Sequence, residues 1–553
     1  MSPDCVSTVP IYPLALCPIM RRYIWSCLLV VATLAFGLAQ HPLPSPPHQR
    51  ADGAGEYRMQ RQIIQDSSSL HHAAIRRYAI SPRVDSVAAQ RGFLGLLYRH
   101  PEHLYHVSGK GFSLGINFLM DLRIGRDAIG DKNVYLNKRG LEIYGALDDR
   151  LYFYSAYEEN QSNLLDYRLD LLNEYQAIRG KGNYKDYRSR VFDSVRGFDY
   201  GFATAYLGYE LSKSTRIEIG HNRHFIGHGI RSLLLSNSAN NYFNVRLDVK
   251  FWKLHYQCIF AELSSISARF NFANALLPKK YMVNHYLSIK PLPNLELGIF
   301  EAIIFSRENN FELQYLNPVI FYRTLEHQLD SPDNVLLGLN GKWDLFQTVA
   351  LYGQFILDEF RLNQFFSGDG WWGNKWGLQA GVHYLNVLGM DDLDLQLEYN
   401  RVRPWTYTHW QEVEGFEGVT VSNYSHYNQP LAHPLGANFT ELVVQLRYAL
   451  GRKLSLTARH VLAHQGLSLG KDAGQDILVN SNRRIGELGH AQNQGDLQTQ
   501  QLTRLLASYT LTRGLYWDVE IHHRLQSNAL SETSTFYWGT GLRYNVSRTW
   551  VDY

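Results

Sequence analysis

Cysteine is almost missing from the part of this chain that could leave the cytoplasm. Of the four cysteines, Cys5, Cys17 and Cys27 lie within or ahead of an N-terminal leader, so Cys258 stands alone and no internal disulfide is possible. An exported chain of this length without disulfides must be held by packing and hydrogen bonds, which leans toward a large domain or a membrane structure. An excess of one charge is also lacking: 54 Lys and Arg against 51 Asp and Glu give a net charge of +3. That balance removes the electrostatic reason to expect nucleic acid as a partner. Beyond the leader no apolar run reaches the roughly 18 residues of a membrane helix. A membrane crossing would therefore have to be made by a barrel, which satisfies all backbone groups between strands.

The leader itself is Arg21 and Arg22, the apolar run Tyr23 to Phe36, and the small-residue site Gly37, Leu38, Ala39 ahead of Gln40. This is the pattern of a secretory signal peptide. The residues before Met20 carry Pro13 and Pro18 and fit neither a signal nor a folded domain, so Met20 is the expected start and 1–39 the extension plus signal. Residues 40–110 read as a periplasmic pre-barrel segment, partly disordered or helical. His41 to His48 is proline-rich, and Met59 to Tyr78 has a helical look with a ragged apolar face.

From 111 to 553 the dominant signal is alternation. In DDLDLQLEYN, Leu393, Leu395, Leu397 and Tyr399 alternate with Asp392, Asp394, Gln396, Glu398 and Asn400. The same period of two recurs at Val245 to Phe251, Val349 to Leu357, Val444 to Leu450 and Leu515 to Ile521. The expected strands are 112–124, 134–147, 149–160, 199–212, 213–224, 240–251, 252–263, 281–291, 293–305, 335–344, 347–359, 374–387, 391–402, 438–450, 452–464, 500–512, 514–526 and 534–547. That is about 18, an even number as a single-chain bacterial barrel requires. Connections alternate between tight turns, such as 147–149, 291–294 and 450–453, and long loops, such as 161–198, 225–239, 264–280, 306–334, 403–437 and 465–499. Short turns on one rim and long loops on the other are the habit of outer-membrane barrels, with the short side periplasmic. A soluble sandwich or propeller also alternates, but its strands are usually about 5 or 6 residues long. The fold expected is thus all-β, a transmembrane antiparallel β-barrel in the cell outer membrane, with Asn163 to Arg179 as a helical piece capping its mouth.

No catalytic constellation stands out. G-x-S-x-G occurs at Gly111 to Gly115 and Gly466 to Gly470, neither in the strand-to-helix context a hydrolase nucleophile needs. His221, His224 and His228 invite a metal reading, yet no Cys, Asp or Glu sits among them. The chain reads as a non-enzyme with no cofactor. Aromatic and amide residues are the better signal. Trp405, Tyr407, Trp410, Tyr424 and Tyr427 crowd one long loop with Arg403, His409, Asn428, His433 and Asn438 around them, and Trp371, Trp372 and Trp376 stand just before. Flat aromatic faces and planar polar groups suit sugars, which offer both C–H faces and hydroxyls. The competing reading is an interfacial aromatic girdle or loop packing.

Several stretches are recognisable: RHFIGHGIRSLLLSNSA at 223–239, FELQYLNPVIFYR followed by SPDNVLLGLNGKW at 311–343, LYGQFILDEF at 351–360, and EYNRVRPWTYTH with YNQPLAHPLGANFTE at 398–441. The chain resembles the capsule-assembly Wzi-type outer-membrane proteins, in particular the gliding-motility branch labelled RemB. The resemblance implies an 18-stranded barrel that binds or organises cell-surface polysaccharide, and for the motility branch an association with surface gliding or adhesion. It directs attention to Arg223, His228, Arg231, Asn317, Arg323, Asp333 and Asn334 beside Arg403, Trp405, Tyr407, His409, Tyr427, Asn428, His433 and Asn438 as candidate glycan contacts. Expected partners are surface polysaccharide, outer-membrane lipid and proteins of a motility or export complex. The rival functions are a passive porin-like channel and a structural component of a motility complex.

Overall fold

The computed structural model describes residues 53–66, 71–76, 104–148, 150–188, 196–265, 278–307, 311–317, 333–359, 361–410, 412–413, 416–512, 514–546, 548 and 552–553. The signal peptide, the extension before Met20, the proline-rich stretch and Arg323 lie outside them.

Eighteen antiparallel strands close on themselves: β1 Phe112–Asp127, β2 Lys132–Leu147, β3 Leu151–Ser162, β4 Arg196–Glu210, β5 Thr215–Asn222, β6 Tyr242–Phe251, β7 Leu254–Ser264, β8 Lys279–Leu292, β9 Leu295–Phe305, β10 Asn334–Leu345, β11 Val349–Glu359, β12 Lys375–Tyr384, β13 Leu393–Val402, β14 Phe439–Leu450, β15 Leu454–Leu467, β16 Asp496–Thr512, β17 Leu515–Ser527 and β18 Glu532–Tyr544. Each pairs with the next, and β1 pairs with β18 from Met120 opposite Tyr544 to Asp127 opposite Tyr537. Below that seam Tyr105–Gly109 pairs with the start of β1, so the edge left where β18 stops is covered.

The alternation read from the sequence is realised as two faces. In β13, Asp394, Gln396, Glu398 and Asn400 are buried inside, while Tyr399 points outward and is 40% exposed. The outer face carries Phe118, Ile124, Ile219, Ile299, Leu339, Leu442, Leu505, Ile521 and Trp538, all exposed. So much bare apolar surface is untenable in water and belongs against lipid. Among the described residues no helix is long and apolar enough to cross a membrane. Tight turns join β2 to β3, β4 to β5, β6 to β7 and each later pair, so their rim is periplasmic; the long connections lie on the extracellular rim.

The lumen is filled by the chain's own segments. Helix α1, Gly53–Gln65, starts earlier and ends sooner than the helical stretch expected at 59–78, and it lies against the periplasmic end of the inner wall. Tyr57 hydrogen-bonds Asp394, Arg61 pairs with Asp392 and Asp394 at 3.0 Å each, and Ile64 packs on Ala350 and Leu385. Residues 71–76 continue upward inside: the amides of Ala73 and Ala74 donate to Glu296 at 2.7 and 3.2 Å. Ile75 then bridges to Ile226, which on its other side bridges to Leu235. Residues 225–239, expected as an extracellular connection, are folded inward together with 223–224, and Leu233, Leu234 and Leu235 are wholly buried in the largest apolar cluster.

Candidate functional site

The inward loop 223–239 is fastened to lumen-facing side chains of the wall. The backbone amide of Arg231 donates to Glu398 at 3.0 Å and that of Leu233 to Gln354 at 2.8 Å. The Arg231 guanidinium reaches Glu441 at 3.0 and 3.2 Å and Asp552 at 2.8 Å. Asp552 is itself held by Arg459 at 3.0 Å and Arg504 at 3.3 Å, so this side chain also lies inside the barrel. Three guanidinium groups around Asp552 hold its carboxyl below the usual carboxylate range despite burial, which acts the other way.

Loop 403–438 folds down on top of this arrangement, and it takes the expected glycan contacts with it. Trp405 is 0% exposed; its indole Nε1 donates to Asp472 at 2.7 Å and its ring meets His490 edge-on at 4.6 Å. Tyr407 is equally buried, stacks on Tyr424 at 5.8 Å and donates its hydroxyl to the carbonyl of Leu233 at 2.8 Å, while Tyr424 donates to that of Leu234 at 2.8 Å. Asn438 donates to the carbonyls of Gly466, Ala473 and Gln494 within 3.0 Å. Asn428 donates to the carbonyl of Tyr175, and His433 pairs with Glu441 at 2.8 Å. Trp405, Tyr407, Tyr427, Asn428 and Asn438 all have positive φ, from 50 to 74°, which tightens the chain into successive turns. A non-glycine residue there is strained and persists only where its surroundings over-determine it. These side chains therefore hold loops together instead of forming an open surface, because they are buried and their donors are engaged by neighbouring backbone carbonyls or carboxylates.

The remaining candidates divide. Arg403 is half-buried and donates to the carbonyls of Asn374 and His490. His409 sits 3.7 Å from Glu359, and burial lowers its pKa to about 4. Tyr427 is half-buried with its ring against His426. His228 lies 3.9 Å from Glu296. His221 is exposed at the end of β5 while His224 hydrogen-bonds Asn244, so the three histidines of the metal reading point apart. Among the described residues no group of three or more His, Cys, Asp or Glu is placed to hold a metal.

Arg223 alone of the candidates joins a second feature. Between the inward segments and the wall formed by β1 to β4 and β16 to β18 lies a cavity of about 270 Å³. Helix α2, Asp166–Tyr175, which the sequence places over the mouth, forms part of its lid, and exposed Asn237 opens it toward the extracellular rim. Its lining carries eight cationic side chains, Arg123, Lys138, Arg168, Arg179, Lys181, Arg223, Arg504 and Arg548, against three carboxylates, Asp121, Glu520 and Asp552. Tyr135, Tyr200, Tyr537, Asn160, Asn163 and Ser238 complete it with ring faces, hydroxyls and amides. Lys138 and Lys181 both bond Glu158 at 3.0 Å. Burial and the nearby Lys138 push the Lys181 amine down to about 7, and burial lowers Arg179 and Arg223 as well. Sequence reading passed over most of this set, because its members are scattered over seven strands and the segments between and after them. The available signal was a pair of charges on the inward phase of one strand, as with Asp121 and Arg123 in β1.

The sequence profile of the family described as capsule assembly protein Wzi matches residues 140–531. Among solved structures, Wzi of Escherichia coli, described as an outer-membrane protein involved in group 1 capsule assembly and a carbohydrate-binding β-barrel, is similar with a TM-score of 0.54 at 13% identity, over 92% of this chain and 100% of that one. OprD of Pseudomonas aeruginosa gives 0.41 at 12% identity over 78% and 94% of the two chains, and OpdK of the same organism 0.43 at 11% over 78% and 98%. No curated protein sequence matches the chain. The Escherichia coli Wzi structure speaks for the barrel fold, the profile spans well over half the sequence, and this outer-membrane protein accordingly belongs to the Wzi capsule assembly family.

Proposed function

We propose that this barrel binds or organises polysaccharide at the cell surface and neither catalyses a reaction nor conducts solutes. The observation that carries the reading is the occupied lumen: among the described residues, α1 below, the inward loop 223–239 in the middle and loop 403–438 above lie inside the barrel and leave a cation-rich cavity between them and the wall. A passive porin would keep a wide water-filled lumen. The carbohydrate-binding character described for the Escherichia coli relative points the same way. Of the residues singled out in the sequence, Arg223 is the direct contact, while Arg231, Trp405, Tyr407, His433 and Asn438 act by holding the loops that frame the cavity. A role in gliding or adhesion, through motility or export proteins, rests on the RemB-like motifs, and spreading of a deletion strain on agar tests it. The central test is paired: glycan-array binding by detergent-solubilised protein and ion conductance in planar bilayers. Glycan retention with silent bilayers supports the reading; steady conductance without glycan binding would falsify it.

A further inference from the structure

The cavity's excess of cations says what kind of sugar it takes. Five more positive than negative side chains face one space of about 270 Å³. Confined charges in a low-dielectric wall are costly unless an opposite charge answers them. Most have a carboxylate in place: Arg123 has Asp121, Arg504 has Glu520 and Asp552, Arg548 has Asp518, and the two lysines share Glu158. Arg168 donates to the Tyr167 hydroxyl at 3.2 Å. Arg179 and Arg223 form no direct ion pair among the described residues, Glu174 and Glu158 acting on them only at longer range. Arg179 donates to the carbonyl of Pro434, and Arg223 donates to the carbonyls of Gly180 and Ala239 at 3.3 and 3.2 Å. Lys181 lies over the Phe202 ring at 3.6 Å, and Arg223 lies over the same ring at 5.4 Å. Lys181 and Arg223 thus converge beside Gly180 over Phe202 with Glu158 as the nearby acid, and Arg179 lines the same cavity with Glu174 as its nearest acid, near hydroxyls and amides that can take sugar oxygens.

We propose that this corner of the cavity seats the acidic substituent of a surface polysaccharide, the carboxylate of a uronic acid residue, with Arg179, Lys181 and Arg223 as its cationic contacts. The inference rests on the polysaccharide reading above and narrows it to acidic glycans. A guanidinium offers paired N–H groups that match a carboxylate, and the neighbouring Asn160, Ser162, Asn163 and Ser238 suit ring hydroxyls. The volume is slightly below the ~300–1,000 Å³ of ordinary small-molecule pockets, which suits one or two sugar units threaded from the rim and not a long coil.

The test uses the full chain in detergent with three probes: an oligogalacturonate of four units, maltotetraose and inorganic phosphate, titrated by calorimetry. The oligogalacturonate should bind about tenfold or more tighter than maltotetraose, and its binding should weaken with added salt. Arg223→Gln and Arg179→Gln should each lower oligogalacturonate affinity severalfold, and by more than they lower maltotetraose affinity, so that the preference for the acidic sugar shrinks. Arg223→Lys, which keeps the charge, should restore most of the preference, and heat-modifiable migration confirms that each variant is folded. Equal binding of the acidic and neutral sugars, or folded glutamine variants that bind the oligogalacturonate like the parent, overturns the inference while the polysaccharide reading stands. Phosphate binding as tightly as the oligogalacturonate overturns the sugar carboxylate as the ligand. Failure of both saccharides to bind sinks this inference and the broader reading together.

Discussion

Arg231→Met removes the guanidinium that ties the inward loop to the wall and to Asp552. Its side chain is 9% exposed and makes three hydrogen bonds to two carboxylates that are 0% exposed. Taking one partner from a buried pair typically costs about 3–5 kcal/mol, because the partner's charge is left uncompensated. Here the loss is cushioned, since Glu441 keeps Asn400 and His433 at 2.8 Å and Asp552 keeps Arg459 and Arg504. The lower end, about 3 kcal/mol, is therefore expected, which raises the population of loop-open states by roughly 100-fold. The loop is not released outright, because Gln354, Tyr407 and Tyr424 still hold Leu233 and Leu234. Hydrogen exchange should show protection at the Ile230 and Arg231 amides falling by about that factor. Planar bilayers should show brief openings absent from the parent. Arg231→Lys keeps a charge without the fork and should fall between the two. Unchanged protection and silent bilayers in the methionine variant would mean that the charge cluster does not hold the loop, and the reasoning fails.

Other consequences are as direct. Leu395→Arg places a cation on the lipid face of β13 and should cost about 2–4 kcal/mol, whereas Gln396→Ala loses one hydrogen bond to Tyr352 and should cost about 1 kcal/mol; urea titration of both in liposomes should rank them so, and equal effects would deny the two-faced strand. Trp405→Ala should destabilise loop 403–438 by about 3–5 kcal/mol, the usual cost of emptying a buried tryptophan site, seen as faster proteolysis within the loop while heat-modifiable barrel migration persists. The loop should also loosen in acid. His426 is buried, accepts from the amide of Ser264 at Nδ1 and bonds the carbonyl of Asn241 through Nε2, and burial lowers its pKa to about 3. A histidine whose folded pKa is depressed contributes stability above its unfolded value near 6.5 that is lost progressively as pH falls toward 3, so loop protection in hydrogen exchange should decline across that window and His426→Gln should flatten the decline. Epitope tags inserted at Gly470 should be labelled on intact cells and tags at Gly451 only after permeabilisation; the reverse would invert the barrel.

The eighteen strands were legible because alternation is a local property. Whether Leu395 faces out and Gln396 in is settled by a period of two within one strand, and lipid outside enforces it at every crossing. The alternation of short and long connections likewise placed the two rims. What fills the barrel was not legible in the same way. LLL at 233–235 looks like an apolar run in a loop, and only the folded chain gives it an address beneath Tyr407 and Tyr424. The hydrogen bond from Tyr407 to Leu233 spans 174 residues and that from Arg231 to Asp552 spans 321, distances over which no periodicity carries information. The same holds for the aromatic loop. Its composition is that of a sugar-binding surface, but the positive φ at Trp405 and Tyr407 folds it back so that the indole N–H goes to Asp472 and the Tyr407 hydroxyl to the carbonyl of Leu233. The cation-rich cavity is the converse case, built, apart from Arg223, from residues the sequence does not single out, because they come to line one space only when the helical cap and the inward loop meet above the wall. Strand identity and facing were thus written locally, whereas the closed lumen and its charge follow from long-range contacts that only tertiary structure brings together.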